Sequence, residues 1–387
     1  RLCVTRWSSV LTPTIGLLLL PTGAFSRVPP LRSHLALALA LLAGCLSAAL
    51  MAAWGGTIDG LMEDAVWASQ PEMQGDSSIV IVEISDSTLR KWPEPLALMG
   101  SRFGALTDAL REAGAKMAVF DFVHLSEPDG LLDSWGSAVL PNQNWADAID
   151  RWPEGVVMGV TGAASGELLA PSGDILISGT VAERLGAIDI GIKASEVNRE
   201  VALFLKSGED VLPSLPVQAY SLLKGAKASA LIESGQIAPV MKLTAGRKWQ
   251  TLQADQIVAG ALSESQRKAL QGAVAIVAMT HSGSRDVHLK PGRRQVSGAQ
   301  IVADVISALQ SGETLKGLNQ STKAGSLLVL GLLFPFICQL VRSWALPLGV
   351  LSSGILLLLS GPALLSAAVA LPAASAAAVL GASSLAY

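Results

Sequence analysis

The chain has 387 residues, of which 50% are hydrophobic and 15% charged, and its mean hydropathy of +0.47 is too high for an ordinary soluble domain. Residues 55–323 contain all 31 acidic residues and 23 of the 28 basic ones, which gives this region a formal charge of −8. An acidic region has no electrostatic basis for binding a phosphate backbone, so we expect no nucleic-acid partner. The composition instead favours a membrane protein with one large water-exposed domain.

The N-terminal segment predicts a membrane anchor. Residues 1–34 form a predicted cytoplasmic tail with four arginines, and Leu35 to Trp54 follows with no charged residue. About 20 apolar residues match the ~30 Å hydrocarbon thickness, so 35–54 is predicted to be a transmembrane helix. The alternative is a cleaved secretory signal, whose apolar core is usually shorter, at about 7–15 residues. The arginines place the N-terminus inside the cell.

The middle region, 55–323, alternates strand and helix patterns. Strands are predicted at Ser78–Ile84 and Lys116–Phe122, with a helix at Met99–Gly114 between them. Near-continuous apolar strands joined by a helix are typical of a parallel sheet. Further strands are predicted at 156–160, 187–192, 201–205 and 273–279, and further helices at 212–223, 263–270 and 298–310. The predicted fold class is therefore α/β, with a mainly parallel sheet in an exported domain.

The C-terminal region predicts three more transmembrane helices, at 325–341, 344–360 and 362–386. Arg342 is the only charged residue from Ala324 to Tyr387. Small residues between Ala367 and Ala382 suit close helix packing in lipid and suggest a homodimer contact. With four spans the C-terminus returns to the cytoplasm. The predicted location is a bacterial inner membrane, with residues 55–323 in the periplasm or outside the cell.

Polar residues that follow predicted strands are the first candidates for a binding site. Asp86 and Asp121 lie at or just beyond the ends of two strands, and Thr280 and Asp286 follow a third. Open α/β sheets bind ligands at the carboxyl ends of their strands. We therefore expect Asp86 and Asp121 to line one cavity, where a carboxylate pair could bind a cation, a sugar or an amine. The alternative is that Asp86 caps a helix or loop and Asp121 holds a turn.

Two further residues complete the candidate set. Trp92 lies in a Lys-Trp-Pro-Glu-Pro segment, whose prolines favour an extended loop that could bring the indole to a pocket, and Glu127 follows in the next loop. A metal site with His124, His281 or His288 is weakly indicated, since no HExxH or CxxC spacing occurs. No glycine-rich phosphate motif follows the first strand either. No cofactor is expected.

Several segments resemble bacterial receptors with a CHASE domain of the second type, the cyclase and histidine-kinase associated sensory extracellular domain. The matching segments are IVIVEISDSTL with Asp86, WPEP at Trp92, GAKMAVFDF with Asp121, SEPD at 126–129, LQGAVAIVAMTHSGSRD at 270–286 and VSGAQIVADVISALQSGE at 296–313. The resemblance covers nearly all of the chain from Leu35 onward. The chain departs from the family pattern at Glu94 and Leu96, at Gln300 and Val302, and around 196–199.

The resemblance implies the sensory half of a transmembrane receptor that is not itself an enzyme. A small extracytoplasmic ligand would act on the domain, and the C-terminal helices would pass the signal to a cytoplasmic output domain or partner beyond Tyr387. The rival hypothesis is an exported, membrane-anchored enzyme that uses Asp86 and Asp121 as acid and base. A scaffold for envelope assembly is a third possibility.

Overall fold

The computed structural model describes residues 30–68, 72–134, 140–162, 168–189, 191, 196–207, 210–235, 237, 240–244, 246–284, 286–312, 316–317, 320–340, 351–352, 369–370 and 376–380. The helices are α1 Pro30–Ala68, α2 Asp86–Lys91, α3 Gly100–Glu112, α4 Asp129–Ser134, α5 Pro141–Asp150, α6 Gly173–Leu176, α7 Leu215–Leu223, α8 Ala228–Glu233, α9 Ala254–Val258, α10 Glu264–Leu270, α11 Gly298–Ser311 and α12 Gln320–Leu340.

The strands are short and most lie between the helices. They are β1 Met73–Gln74, β2 Ile79–Ile84, β3 Met117–Phe120, β4 Val156–Gly162, β5 Leu168–Leu169, β6 Leu185–Ala187, β7 Glu200–Ala202, β8 Phe204–Ser207, β9 Asp210–Pro213, β10 Val240–Lys242, β11 Arg247–Lys248, β12 Gln250–Gln253, β13 Val274–Met279, β14 Val287–Lys290, β15 Arg294–Ser297, β16 Lys316–Gly317 and β17 Val369–Ala370.

The central sheet has the strand order β12-β2-β13-β3-β4, with β5 and β6 both pairing with β4. All neighbours in it are parallel except β4 and β5, which are antiparallel. The α/β class is therefore confirmed, and the sheet is mixed, with the antiparallel pairing confined to one short strand. The strong strand predictions at 78–84, 116–122 and 273–279 correspond to β2, β3 and β13, in the centre of this sheet.

Both faces of the sheet are buried, because alternate side chains of each strand point to opposite faces. We call the cluster that α3, α5 and α9 cover the first-face cluster; it includes Val80, Val82 and Phe120. The second-face cluster lies beneath α7 and α11 and includes Ile81 and Val119. Covering a parallel sheet on both faces is what requires its strands to be apolar along their whole length.

Several predicted boundaries are wrong. The strand predicted at 187–192 is β6, three residues long and displaced toward the N-terminus, and the strand predicted at 201–205 is the end of β7 and the start of β8, which lie outside the central sheet. The sequence analysis missed α5, β12 and the β14–β15 hairpin. The missed β12 lies at the sheet edge, where alternation is weaker because its residues Gln250 and Thr251 are exposed.

Helix α1 continues from Pro30 to Ala68, so it extends beyond the predicted span, and it packs against α12. None of the helices among the described residues is both long and apolar enough to cross a membrane, which leaves the four predicted spans unconfirmed. Predicted segments 1–29, and most of 344–360 and 362–386, lie outside the described residues.

Candidate functional site

A cleft of about 540 Å³ opens at the carboxyl edge of the central sheet, beside the start of α11. It lies at the strand ends, where the sequence predicts a binding site, and its lining includes some of the candidate residues. Its polar lining residues are Asp121, Thr161, Asp189, Ser284, Asp286 and His288. Its other lining residues include Phe122, Val123, Leu125, Ile188, Met279 and Val302. This lining contains three carboxylates, and no lysine or arginine belongs to it among the described residues.

Strand β3 positions Asp121. The strand ends at Phe120, and the backbone amide of Asp121 donates to the Val277 carbonyl at 2.8 Å, so the residue is held against the end of β13. The pKa of Asp121 is raised to about 7, chiefly by burial and then by the negative charge of Asp286, while His288 opposes the rise. Asp121 is thus a carboxyl group whose charge depends on what occupies the cleft.

Asp286 is fixed by the first residue of α11. Its Oδ2 accepts a hydrogen bond from the backbone amide of Gly298 at 2.8 Å, at a helix N-terminus, where the dipole favours negative charge. A Cβ at position 298 would lie 2.6 Å from Asp286 Oδ1, so any other residue there would force the carboxylate to shift. Ser297 and Gln300 form a capping box that completes the start of the helix.

His288 completes this side of the cleft. Its Nε2 lies 2.7 Å from Asp286 Oδ1, and its buried Nδ1 has no hydrogen-bond partner among the described residues. On the opposite side, Asp189 accepts from the Thr161 hydroxyl and from the Gly162 amide at 3.0 Å. Asp189 and Asp286 therefore both accept hydrogen bonds from the protein. No described side chain or amide donates to the carboxylate of Asp121.

The described residues contain no group of three or more histidine, cysteine, aspartate or glutamate side chains arranged to hold a metal ion. Cysteine is also missing from the cleft lining among the described residues. The chemistry that the cleft offers is therefore hydrogen-bond acceptance and negative charge. A molecule with several N–H donors, or with a positive charge, would complement it.

The other predicted site residues lie elsewhere. The carboxylate of Asp86, at the first residue of α2, accepts from the Ser282 amide at 3.2 Å and from the Ser282 hydroxyl at 3.1 Å. It therefore ties α2 to the loop after β13 and is not among the lining residues of the cleft. The expectation that Asp86, Trp92 and Asp121 share one cavity is wrong.

Trp92 belongs to the first-face cluster, where only 4% of it is exposed. The guanidinium carbon of Arg102 lies 5.9 Å from the centre of its ring. The two prolines around Glu94 thus direct the indole into the core. Trp92 is not among the lining residues of the cleft.

Glu127 and Thr280 have local structural contacts. The exposed carboxylate of Glu127 accepts from the Gly173 amide at 3.0 Å. The amide of Thr280 donates to the Ile84 carbonyl at 3.1 Å, and the buried Thr280 hydroxyl has no described partner. Of the six predicted site residues, the structure therefore brings together Asp121 and Asp286.

The sequence analysis did not place Thr161, Asp189, His288 or Gly298 in the site. The Pro291-Gly292 pair between two short polar strands is a turn signal that would have predicted the β14–β15 hairpin and, with it, the position of His288. Asp189 follows β6, whose predicted position was wrong.

The comparison with protein families decides the class of this chain. The CHASE2 domain family matches residues 35–337. The chain belongs to the CHASE2 domain family. This membership confirms the resemblance seen in the sequence and identifies the α/β region as a sensory extracellular domain. Neither the curated proteins nor the solved structures include a match to the chain.

Proposed function

We propose that this CHASE2 chain is the extracytoplasmic sensory part of a transmembrane receptor, and that a small cationic molecule binds in the cleft between Asp121 and Asp286. The observation that carries the ligand class is the carboxylate of Asp121, which borders the cleft without a donor from the described protein. The charge of Asp286 lies close enough to Asp121 to raise the pKa of Asp121. A bound ammonium group would supply the missing donors and offset this repulsion.

The fixed partners of Asp286 and Asp189 define how such a ligand would be oriented. Both carboxylates are held by backbone amides, which fix their orientation relative to the elements that carry them. Asp121 supplies the interaction that changes on binding. An amine of a few carbons, with one or two charged ends, suits a cleft of about 540 Å³ with apolar walls.

The membrane part of the proposal rests on sequence and on exposed apolar side chains. Leu35 to Trp54 carries no charge, and the exposed leucines of α1 recur every three or four residues along one face of the helix. These residues are Leu35, Leu39, Leu42, Leu46 and Leu50. Apolar stripes of this kind mark a surface that lipid or protein covers. We propose that lipid covers this stripe.

Helix α12 supports the same arrangement. It has exposed apolar residues of its own, Leu328, Val329, Leu332 and Leu333. It also approaches α1 closely, since a Cβ at Gly331 would lie 2.6 Å from the Gly44 carbonyl oxygen. Backbones that approach through small residues are typical of helices packed in lipid. We propose that α1 and α12 carry the signal toward a cytoplasmic output, in a receptor that works as a homodimer.

Binding of 1,4-diaminobutane to the full chain in lipid nanodiscs tests the ligand class. We expect binding at pH 8 that weakens at pH 6, where Asp121 holds its proton. Asp121→Asn should weaken binding by at least about tenfold, the equivalent of a lost charge-assisted hydrogen bond. The matched control Asp108→Asn changes a surface carboxylate on α3 and should bind normally. Equal binding by the two variants would refute the assignment of the cleft.

Topology is tested separately, by alkaline phosphatase fusions. A fusion after Gly130 should be active and a fusion after Tyr387 inactive, because the enzyme needs an extracytoplasmic location. The reverse pattern would contradict the membrane arrangement and leave the cleft result unaffected. The rival hypothesis, an anchored enzyme with Asp86 and Asp121 as acid and base, requires the two carboxylates to act on one substrate, whereas Asp86 binds Ser282 away from the cleft lining.

A further inference from the structure

The hairpin formed by β14 and β15 contacts both the cleft and helix α1. Its base carries Asp286 and His288 on one strand and leads into Gly298 on the other. At its tip, the amide of Gly292 points to the carboxylate of Asp64 on α1, with an N···O distance of 3.4 Å. Gly292 also has positive φ, +81°, and a Cβ there would lie 3.0 Å from the Ala68 amide nitrogen. The tip therefore packs directly on the backbone of α1.

A second connection runs from the same strand through Arg199. The Leu289 carbonyl accepts from the backbone amide of Asn198 at 2.8 Å, next to a bridge between Val197 and Leu289. The following residue, Arg199, donates to Asp64 Oδ2 at 2.7 Å and to the Gly60 carbonyl at 3.1 Å. Strand β14 thus holds α1 through its turn and through the backbone that positions Arg199.

This attachment of α1 is largely buried. The Asp64 side chain is 8% exposed and the Arg199 side chain 30%. The preceding residue on α1 is Glu63, whose Oε2 lies 3.7 Å from Lys242 Nζ. Burial raises the pKa of Glu63, and the positive charges of Lys242 and Arg199 oppose this rise. Ion pairs that are shielded from water are stronger than surface pairs and have defined geometry. Their alignment is therefore sensitive to small movements of the strands that carry the cations.

We infer that the β14–β15 hairpin and Arg199 form the mechanical link by which occupancy of the cleft changes the docking of α1. This inference rests on the proposed sensory role of the cleft and specifies its output path. A ligand that draws Asp286 and His288 toward Asp121 moves the base of β14, and Leu289 and Gly292 transmit that movement to Asp64. Because β15 enters α11, the same movement reaches both ends of the domain. Differential ligand affinity for two positions of the hairpin would then shift the position of α1.

Hydrogen exchange of the full chain in nanodiscs tests the link without any ligand. The measured quantity is the exchange rate of amides in residues 59–68 of α1. Asp286→Asn removes a charge at the hairpin base, and we expect it to change that rate by about fivefold, the lower end of usual coupling between sites. In an Arg199→Gln background, the same Asp286→Asn substitution should have less than half of this effect.

The controls separate transmission from general loosening. Asp108→Asn with Arg151→Gln removes a surface ion pair of the same type on α3 and α5, and should leave both the rate at 59–68 and its response to Asp286→Asn unchanged. Exchange in α3, residues 100–112, reports global stability in every variant. If Arg199→Gln itself releases α1, Asp64→Asn provides the second background, since its amide oxygen still accepts from Arg199 while the charge is gone.

Two results would overturn the inference. One is an unchanged exchange rate at 59–68 in the Asp286→Asn variant, whether that variant changes exchange at the start of α11 or changes exchange nowhere. The other is an equal response to Asp286→Asn with and without Arg199, which would mean that the effect travels by another path. Failure of 1,4-diaminobutane to bind would refute the proposed ligand class while leaving this measurement intact, so the two proposals fail separately.

Discussion

The two faces of the central sheet are built differently although the same strands supply both. On the first face, Phe103, Phe120, Phe122 and Trp145 form an aromatic group with ring centres 4.9 to 6.4 Å apart. On the second face, buried charges lie beside the apolar cluster: Lys290, which is fully buried, pairs with Asp304 next to α11. The cleft opens at the carboxyl edge of the sheet, where Phe122 and Met279 from the first face and Ile188 and Val302 from the second face line it. The hairpin leads into α11, which covers the second face.

The Lys290–Asp304 pair needs an explanation other than stability. Buried ions cost desolvation energy and rarely add stability over apolar residues. The pair is therefore better explained by orientation of the hairpin. Asp304 also accepts a hydrogen bond from Trp249 Nε1 at 3.1 Å, so the pair fixes β14 to α11 and to the strand edge at once.

The largest effect should follow from a change on the first face. Phe103 is 0% exposed and its ring centre lies 4.9 Å from that of Trp145. Phe103→Ala should lower the free energy of unfolding by about 4 kcal/mol, from lost burial and the cavity that remains. Urea unfolding measures this loss. The exposed Leu131→Ala is the control and should change stability by less than about 0.5 kcal/mol.

The affinity of the same variant for 1,4-diaminobutane tests whether the first face and the cleft are independent. Folded Phe103→Ala should still bind the probe at low temperature, because Phe103 is not a lining residue of the cleft and contacts the lining through Phe122, whose ring centre lies 5.2 Å away. A large loss of affinity in molecules that remain folded would show that the faces are not independent. It would place the aromatic group within the sensory path.

Sequence reasoning predicted the centre of the sheet well and its edges poorly. Strands β2, β3 and β13 are buried on both faces, so each is a short, largely apolar run whose length and composition favour a strand over a buried helix. Strand β12 has one exposed face and only four residues, so its pattern, Gln-Thr-Leu-Gln, carries little signal. The order β2-β13-β3 also requires pairing of segments nearly 200 residues apart, which local patterns do not encode.

The candidate site shows the same limit. Asp121 and Asp286 were predicted because they follow central strands, and the parallel topology brings their ends to one edge. The error concerned Trp92, which comes after helix α2 and packs into the first-face cluster. The side of the sheet on which a side chain after a strand emerges depends on one or two residues of register. Sequence spacing alone therefore predicted the edge and left the face undetermined.

A change at the cleft should have a smaller effect on stability than Phe103→Ala, and one that depends on pH. Because the native pKa of Asp121 is raised from the usual 3.8 to about 7, the native state keeps a proton that the unfolded state has released between about pH 4 and pH 7. Stability falls as pH rises through that window, by at most about 4 kcal/mol. Because Asp121 is partly exposed, Asp121→Asn should recover less than this, about 2–3 kcal/mol in the free energy of unfolding at pH 8 and almost nothing at pH 4.

The carboxylate of Asp108 provides a control with the opposite sign. Its hydrogen bond to Arg151 lowers its pKa, so its contribution is present above the unfolded pKa and is lost as pH falls. Asp108→Asn should therefore lose stability at pH 8, by less than about 1 kcal/mol for a surface pair. An Asp121→Asn variant with the same stability change at both pH values would contradict the burial of a proton beside Asp286.

The smallest effect on stability should come from a change at Asp86. The affinity of the same variant tests which strand end belongs to the ligand-binding surface. Its contacts with Ser282, at 3.1 to 3.3 Å, are exposed, so Asp86→Asn should lower the free energy of unfolding by less than about 1 kcal/mol. Its affinity for 1,4-diaminobutane should stay within about twofold of wild type, since a charge outside the cleft and open to solvent is screened at physiological salt. Asp121→Asn, the same chemical change at the neighbouring strand end, should lose at least about tenfold in affinity.

If Asp86→Asn instead lost as much affinity as Asp121→Asn, the binding surface would extend across β13 to α2, and the loop at Ser282 would belong to it. Unchanged affinity would mean that the carboxylates that line the cleft, with Asp121 and Asp286 among them, supply the charge that selects the ligand.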